Sequence, residues 1–309
     1  MAEHKKTIVT EYLIKCRHCG SKDVSKYGSY KTIQYYICKT CNTKFAEIDS
    51  YPDMKYPKVY IDRALTYYYG GMSLRGIQST FRSLMSADIV PSTIWRWILK
   101  YSRIVNEFTL DLRPKLSEVW IADETMIGIW GQNWWYWDII DTETRFLVAS
   151  HLSRTRTELD STRLFQMARL RSKTRPAAII TDKLGQYNRA FSKVFYTRTL
   201  ANKVYHLKTE GFTEPTNTNL IERFHGTLKQ RTKVMRDLKE QTSARIILDG
   251  FVNHYNFFMK HDALGTTPAI ASGIDMDIKN WGDLITIALS KPATNPRVCI
   301  NWEREFAVR

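Results

Sequence analysis

Long apolar runs are absent from this 309-residue chain, and none approaches the ~20 residues that a helix needs to cross a bilayer. The first twenty residues also lack the uninterrupted apolar core of a signal peptide. Hydrophobic residues make up 43% of the chain and charged residues 25%, which is typical of a folded protein and argues against wholesale disorder. A secreted or membrane protein is therefore not expected, and we predict a cytoplasmic protein of two or three domains.

Acidic residues are few relative to basic ones. The 31 Asp and Glu residues face 46 Lys and Arg residues, which leaves a formal charge of +15 and a pI near 9.5. Such a surplus favours a polyanionic partner, because each neutralised phosphate releases a condensed counterion. An acidic membrane surface would attract the same charge, but the chain has no amphipathic anchor and no lipidation motif. Nucleic acid is therefore the expected partner.

Cysteine is also sparse, yet four of the five cysteines form two ordered pairs. Both pairs have the C-x-x-C spacing, and 18 residues separate them. Each such turn presents two thiolates to one point, which suits a single tetrahedral Zn²⁺. Two disulfides or four free thiols are the alternatives, and disulfides need an oxidising compartment. We therefore predict a zinc ribbon with one structural Zn²⁺, bound by Cys16, Cys19, Cys38 and Cys41.

Beyond a proline-containing linker, three short helical patterns follow. They cover residues 59–71, 74–85 and 93–108, with Ser73 and Ser92 as expected N-caps. A glycine-containing turn after the first helix and a basic, aromatic third helix are typical of a helix-turn-helix, although any small helical bundle would also fit. Arg96 and Lys100, spaced i and i+4 on the third helix, are the residues that we expect to face DNA.

After Pro114 the pattern changes from helical to strand-like. Three strands joined by short turns are predicted at 118–130, 134–141 and 146–153. A helix, a buried strand (AAIITD), a helix, a short strand and a long helix from about Leu220 follow in that order. This is the order of an α/β fold with a ribonuclease H-like mixed sheet.

Three acidic residues fall where this topology brings distant segments together. Asp123 lies within the first strand, Asp182 ends the buried strand, and Glu222 lies in the first turn of the long helix. Unpaired carboxylates are costly to bring together, and divalent cations such as Mg²⁺ explain such a group most simply. Each acid also has a structural alternative, since Asp182 could cap the next helix and Glu222 could form a capping box with Asn219. Glu124 is a weaker candidate because it alternates to the opposite strand face, as are Asp138 and Asp141.

The long helix places cations in register with Glu222. At 100° per residue, the face that carries this carboxylate also carries Gly226 and three basic residues, whereas apolar side chains form the opposite face. A solvated surface helix would show the same pattern. We expect this face to contact the DNA backbone through Lys229, Lys233 and Arg236.

Four segments of the chain resemble DDE insertion-sequence transposases and retroviral-type integrases. ADET with the following WWYWDIIDTETRFLVASHLSRTRT resembles the start of their catalytic core, and TDKLGQY resembles the segment of the second aspartate. NLIERFHGTLKQRTK resembles the third segment, with Glu222 followed seven residues later by Lys229, and HYNFFMKHDALGTTPA resembles the region beyond the core. The likeness runs from about Ser117 to Ala271. Two departures are the 39-residue gap between Asp182 and Glu222, which is longer than usual, and Met259-Lys260, where Arg-Pro is common.

The resemblance implies a DDE transposase that uses two Mg²⁺ (or Mn²⁺) ions per active site, held by Asp123, Asp182 and Glu222. It implies DNA cleavage at the terminal inverted repeats of an element and strand transfer into target DNA, without ATP, in agreement with the absence of a GxxxxGK[ST] loop. At least a homodimer is needed to pair two ends, and a nucleoid-associated location follows. The alternatives are a non-catalytic DNA-binding regulator derived from a transposase and a ribonuclease H-like nuclease without strand transfer.

The predicted domains follow from these assignments. They are a zinc ribbon at 1–46, a linker at 47–57, a helix-turn-helix domain at 58–113, a DDE catalytic core at 114–271 and a C-terminal tail at 272–309.

Overall fold

A computed structural model describes residues 14–16, 18–30, 33–46, 49–52, 54–172, 174–199, 202–209, 218–234 and 238–291. The chain divides into two compact units, Met1–Ile61 and Asp62–Arg309, and each is described by itself. The domain boundaries given above stay predictions.

The first unit contains a three-stranded antiparallel sheet. Its strands are β1 (Val24–Tyr30), β2 (Ile33–Cys38) and β3 (Lys44–Ala46), in the order β1-β2-β3. Its small core contains Cys16, Cys38 and the stacked rings of Tyr36 and Phe45. Because so small an apolar core contributes little stability, we expect this unit to need a further stabilising element such as a metal.

The predicted helical region forms α1 (Lys58–Tyr69), α2 (Leu74–Met85) and α3 (Pro91–Leu110). The Ser73 hydroxyl accepts a hydrogen bond from the backbone of Gly76, so this predicted N-cap is confirmed. The prediction of Ser92 as a cap is wrong, because α3 begins at Pro91 and its N-cap is Val90. Proline suits the first helical position, since its fixed φ is helical and its missing N–H has no partner to lose there.

A five-stranded mixed sheet forms the centre of the second unit. Its strands are β4 (Val119–Ile129), β5 (Gln132–Asp141), β6 (Leu147–Ser153), β7 (Ala178–Thr181) and β8 (Tyr205–Lys208). The spatial order is β6-β5-β4-β7-β8, with β4, β5 and β6 antiparallel and β7 and β8 parallel to β4. This is the ribonuclease H-like arrangement, so the predicted fold class is confirmed.

Helices cover the sheet and supply the other side of its core. They are α4 (Glu158–Arg171), α5 (Gly185–Phe195) and α6 (Asn219–Val234). The side chains of α4 and α5 pack with those of β4, β5 and β7 around the fully buried Trp120, Trp137 and Tyr187. On α6 the apolar stripe of Ile221, Phe224 and Leu228 is buried, as its periodicity predicts.

Three further helices end the described chain: α7 (Gln241–Phe258), α8 (Pro268–Ala271) and α9 (Trp281–Ser290). α3 packs against α7 and α9, and α2, α3 and residues 62–69 of α1 lie in the same unit as the sheet. α9 lies within the segment predicted as a tail, and an Asn280–Asp283 capping box begins it. Among the described residues, no helix has the length and apolar character needed to span a bilayer.

Candidate active site

Three carboxylates come together at one end of the sheet. One oxygen each from Asp123, Glu124 and Asp182 lies within 4.8 Å of the other two. The topology explains this, because β4 pairs with β7 only through residue 121, and Asp182 directly follows β7. β7 therefore ends beside the middle of β4, which places Asp182 next to the β4 residues Asp123 and Glu124.

Glu124 is the member that sequence reasoning ranked low. Its side chain extends toward α5, as strand alternation predicts, and its carboxylate is 1% exposed. The Tyr187 hydroxyl donates to Oε2 at 2.6 Å, and Nε of Arg156 donates to Oε1 at 2.8 Å. Burial raises the pKa of Glu124, and these two donors oppose the rise. Glu124 is thus a paired carboxylate at the edge of the acidic group.

Asp123 points to the opposite side of β4, toward α6. Its Oδ2 lies 3.5 Å from Nδ1 of His225, and Nε2 of the same ring lies 3.1 Å from Oδ2 of Asp138. Asp138 is the cross-strand neighbour of Asp123 on β5 and is fully buried. Burial alone would lower the pKa of His225, but the two carboxylates outweigh it and raise the pKa to about 9.

Asp182 directly follows β7 and lies two residues before Leu184, the N-cap residue of α5. Its Oδ1 accepts a hydrogen bond from the Leu184 backbone at 2.9 Å, which orders the entry to α5. Burial and the negative charge of Asp123 raise the pKa of Asp182, against the effect of that hydrogen bond. Mutual repulsion of this kind is relieved by a cation, and hard carboxylate oxygens are what Mg²⁺ prefers. The donor set therefore fits a divalent metal.

The geometry agrees with the comparison to known families. A family model described as a DDE domain matches residues 117–261. Residues 117–261 are therefore similar to a DDE domain. The resemblance to DDE transposases and integrases inferred from the motifs is thus confirmed over this span.

Solved structures with a similar chain include retroviral integrases. The simian T-cell lymphotropic virus intasome in complex with PP2A regulatory subunit B56 gamma is 15% identical, with a TM-score of 0.39, and the match covers 54% of this chain but only 58% of that one. The HTLV-2 integrase catalytic core domain in complex with magnesium matches in a trimeric form (15% identity, TM-score 0.37, 52% of this chain and 98% of that one). It also matches in a dimeric form (17%, 0.37, 51% and 95%). No curated protein matches the sequence.

The third acid predicted for the site, Glu222, is outside the group of three. Its Oε1 accepts a hydrogen bond from the Thr218 hydroxyl at 2.7 Å, at the start of α6. His225, one turn further along the same helix, is the residue that approaches Asp123. The helix α6 therefore packs beside the carboxylates of Asp123 and Asp182. The Glu222 carboxylate itself is hydrogen-bonded at the N-terminus of this helix.

The predicted DNA-contacting residues of the DDE domain are exposed where they are described. Lys229 and Lys233 line a cleft of about 470 Å³ together with Met126, Gly131 and Leu238. Arg236 lies outside the described residues. On α3, Arg96 and Lys100 are exposed, and Nε of Arg96 donates to the Ser92 carbonyl at 3.2 Å.

The four paired cysteines of the first unit also converge. Their sulfurs all lie within 4.8 Å of one another, and the Cys16–Cys41 and Cys19–Cys38 pairs are each 3.5 Å apart. A disulfide has sulfurs about 2.05 Å apart, whereas tetrahedral Zn–S bonds of about 2.3 Å place them close to the observed spacing. The pKa of Cys38 is lowered to about 6, mainly by a hydrogen bond from the backbone amide of Cys41, and this favours the thiolate form. The site fits one zinc ion.

Arg156 and Tyr187 are the residues near the acidic group that sequence reasoning missed. Neither has a periodic signature, and they lie 32 and 63 residues from Glu124 in sequence. The available signal was Glu124 itself, since a carboxylate in an apolar strand requires a cationic or hydrogen-bonding partner.

Proposed function

We propose that this chain is a DDE transposase that cleaves DNA at the ends of a mobile element and transfers the strands to target DNA. The observation that carries this proposal is the meeting of Asp123 and Asp182 at one edge of a DDE domain. Asp123 lies within β4 and Asp182 directly follows β7, with 58 residues between them in the sequence. His225 faces Asp123, and the Leu184 amide donates to Asp182.

Asp123, Asp182 and Glu222 would hold two Mg²⁺ ions. Bound metal supplies Lewis-acid activation of the phosphodiester and of the attacking water or 3′-hydroxyl. The chain's own residues orient the carboxylates: His225 contacts Asp123, and the Leu184 amide holds Asp182. Glu222 would join this set if its carboxylate released the hydrogen bond from Thr218.

Double-stranded DNA is the proposed partner. The exposed Lys229 and Lys233 lie on the same helix as Glu222, so the backbone that they bind would be led to the acidic edge. Arg96 and Lys100 of α3 and the zinc-containing unit would recognise the element's ends. Pairing of two ends requires at least a dimer.

The test is Mg²⁺-dependent nicking of a labelled duplex that carries the DNA flanking the chain's own gene, followed by detection of strands joined to a target plasmid. Asp123→Asn, Asp182→Asn and Glu222→Gln should each abolish nicking while leaving duplex binding largely intact. Glu143→Gln, an exposed acid in the turn after β5, is the matched control and should nick normally. Binding without nicking by the unaltered chain would favour a regulator instead, and nicking without joined products would favour a simple nuclease.

A further inference from the structure

The Arg156 guanidinium is held rigidly beside the acidic group. Its Nε and Nη2 both donate to Oε1 of Glu124, and its Cζ lies 4.5 Å from the ring centre of Trp135. Glu124 is fixed in turn by the Tyr187 hydroxyl on its other oxygen. A guanidinium that is hydrogen-bonded along one edge and stacked on one face has lost most of its conformational entropy before a ligand binds.

The same guanidinium keeps part of its surface toward solvent. The Arg156 side chain is 36% exposed, whereas its partner Glu124 is 1% exposed. Arginine has five N–H donors, and the contacts with Glu124 use two of them. Donors therefore remain for a further acceptor, on a side chain whose carboxylate partner lies within 4.8 Å of the Asp123 and Asp182 oxygens.

Charge balance also separates Arg156 from the metal ligands. It pairs with Glu124, so the charge of Asp182, together with that of Asp123 beyond what His225 balances, remains for a divalent cation. A phosphodiester bound at that cation brings non-bridging oxygens next to the guanidinium, and a planar arginine fork matches two such oxygens.

We propose that Arg156 is a phosphate-binding residue of the active site, donating to a backbone phosphate of the DNA strand placed at Asp123 and Asp182. The proposal rests on the function proposed above. Glu124, Tyr187 and Trp135 are then positioning residues that hold the guanidinium in place.

The first measurement is the Mg²⁺-dependent nicking rate of a supercoiled plasmid at saturating DNA, with Arg156→Ala and Arg156→Lys. Loss of one donor aimed at developing charge lowers a rate by about 10²–10³-fold, so Arg156→Ala should fall by that amount. Arg156→Lys should recover only a small part, because an ammonium cannot stack and grip two oxygens together. Arg154→Ala is the matched control, since Arg154 is an exposed arginine two residues away in the same loop, and it should stay within about twofold of the unaltered chain.

The second measurement is binding of a fluorescein-labelled 30-base-pair duplex over a range of salt concentrations, with Ca²⁺ in place of Mg²⁺ to prevent cleavage. The slope of log K against log salt is negative, and loss of one phosphate contact should reduce its magnitude by about 0.9 in Arg156→Ala. An unchanged slope together with an unchanged rate would overturn the proposal.

A double variant addresses the possibility that Arg156 only neutralises Glu124. In Glu124→Gln/Arg156→Gln no buried carboxylate is left unpaired, so the fold should be retained, as judged by its unfolding midpoint. If Arg156 binds phosphate, this variant stays at least about tenfold slower than Glu124→Gln alone; if the two rates are equal, the proposal is wrong. Asp123→Asn distinguishes failure of this inference from failure of the proposed function. If the unaltered chain and Arg156→Ala both nick normally while Asp123→Asn does not nick, the proposed function stands and the inference about Arg156 fails.

Discussion

His225 donates through its imidazole to the fully buried carboxylate of Asp138, with Nε2 and Oδ2 3.1 Å apart. The other ring nitrogen faces Asp123 at 3.5 Å, so one histidine of α6 links two neighbouring strands at the edge where the acids meet. Only a doubly protonated ring can donate to both carboxylates. This linkage makes the stability of the DDE domain depend on pH.

The free energy of unfolding should fall as the pH rises through about 9. The pKa of His225 in the folded chain is about 9, above the value of about 6.5 for an unfolded histidine, so the folded state binds the extra proton between these values. The contribution is fully present below about pH 6.5 and is lost above about pH 9, with an upper bound of about 3 kcal/mol. Urea unfolding at about pH 6.5 and about pH 9.5, without added divalent metal, measures it.

His225→Gln should abolish most of that pH dependence. His254→Gln is the matched control, because burial lowers the pKa of His254 to about 4 and this ring is uncharged across the whole window. Equal pH dependence in the unaltered chain and in His225→Gln would contradict the linkage.

Much of the DDE domain could be predicted from its sequence, since period-two strands and period-3.6 helices are local signals. The meeting of Asp123 with Asp182 followed from the fold class, because the strand that precedes Asp182 pairs with the strand that contains Asp123. Glu124 was predicted to be a weaker candidate because side chains alternate between the two faces of a strand, but this rule does not account for side-chain length. Its side chain does alternate away from Asp123, yet the longer glutamate side chain reaches back at a point where β7 no longer pairs with β4.

Other contacts had no local signal. The partners of Glu124, Arg156 and Tyr187, come from a loop and a helix chosen by tertiary packing alone. Ser92 was predicted as the N-cap of α3 because serine is a common N-cap residue, but the helix begins one residue earlier, at Pro91. The hydrogen bond from the Thr218 hydroxyl to the Glu222 carboxylate likewise has no periodic signal in the sequence.

Tyr187→Phe should destabilise the chain by about 1–3 kcal/mol. The change removes the donor to Oε2 of Glu124 and leaves a buried carboxylate oxygen without it. Urea unfolding followed by tryptophan fluorescence gives the value. Tyr196→Phe, at the end of the same helix and 72% exposed, should change the free energy by less than about 0.5 kcal/mol.

The purified chain should contain one zinc ion, and Cys38→Ser should lose it. Three thiolates bind zinc less tightly than four, and Cys38 is the buried sulfur whose pKa is lowered to about 6. Atomic emission spectroscopy measures the stoichiometry. Cys299→Ser, which changes the one cysteine outside the two pairs, should keep the full zinc content; equal zinc loss in both variants would argue against the four-cysteine site.

Gly250→Ala should destabilise the second unit, although alanine normally favours a helix. A Cβ at Gly250 of α7 would lie 1.9 Å from the Tyr69 hydroxyl oxygen of α1, which is itself hydrogen-bonded to Ser102 at 2.7 Å. Overpacking of this kind costs about 1–3 kcal/mol. Gly226→Ala is the control, since a Cβ there meets no atom within 4 Å and should stabilise α6 by about 0.5–1 kcal/mol. A double-mutant cycle with Tyr69→Phe tests the hydroxyl. If the hydroxyl causes the clash, the loss in Gly250→Ala/Tyr69→Phe must be smaller than the sum of the two single losses; additive losses would assign the clash to the remaining ring, whose Cζ lies 2.6 Å from that Cβ.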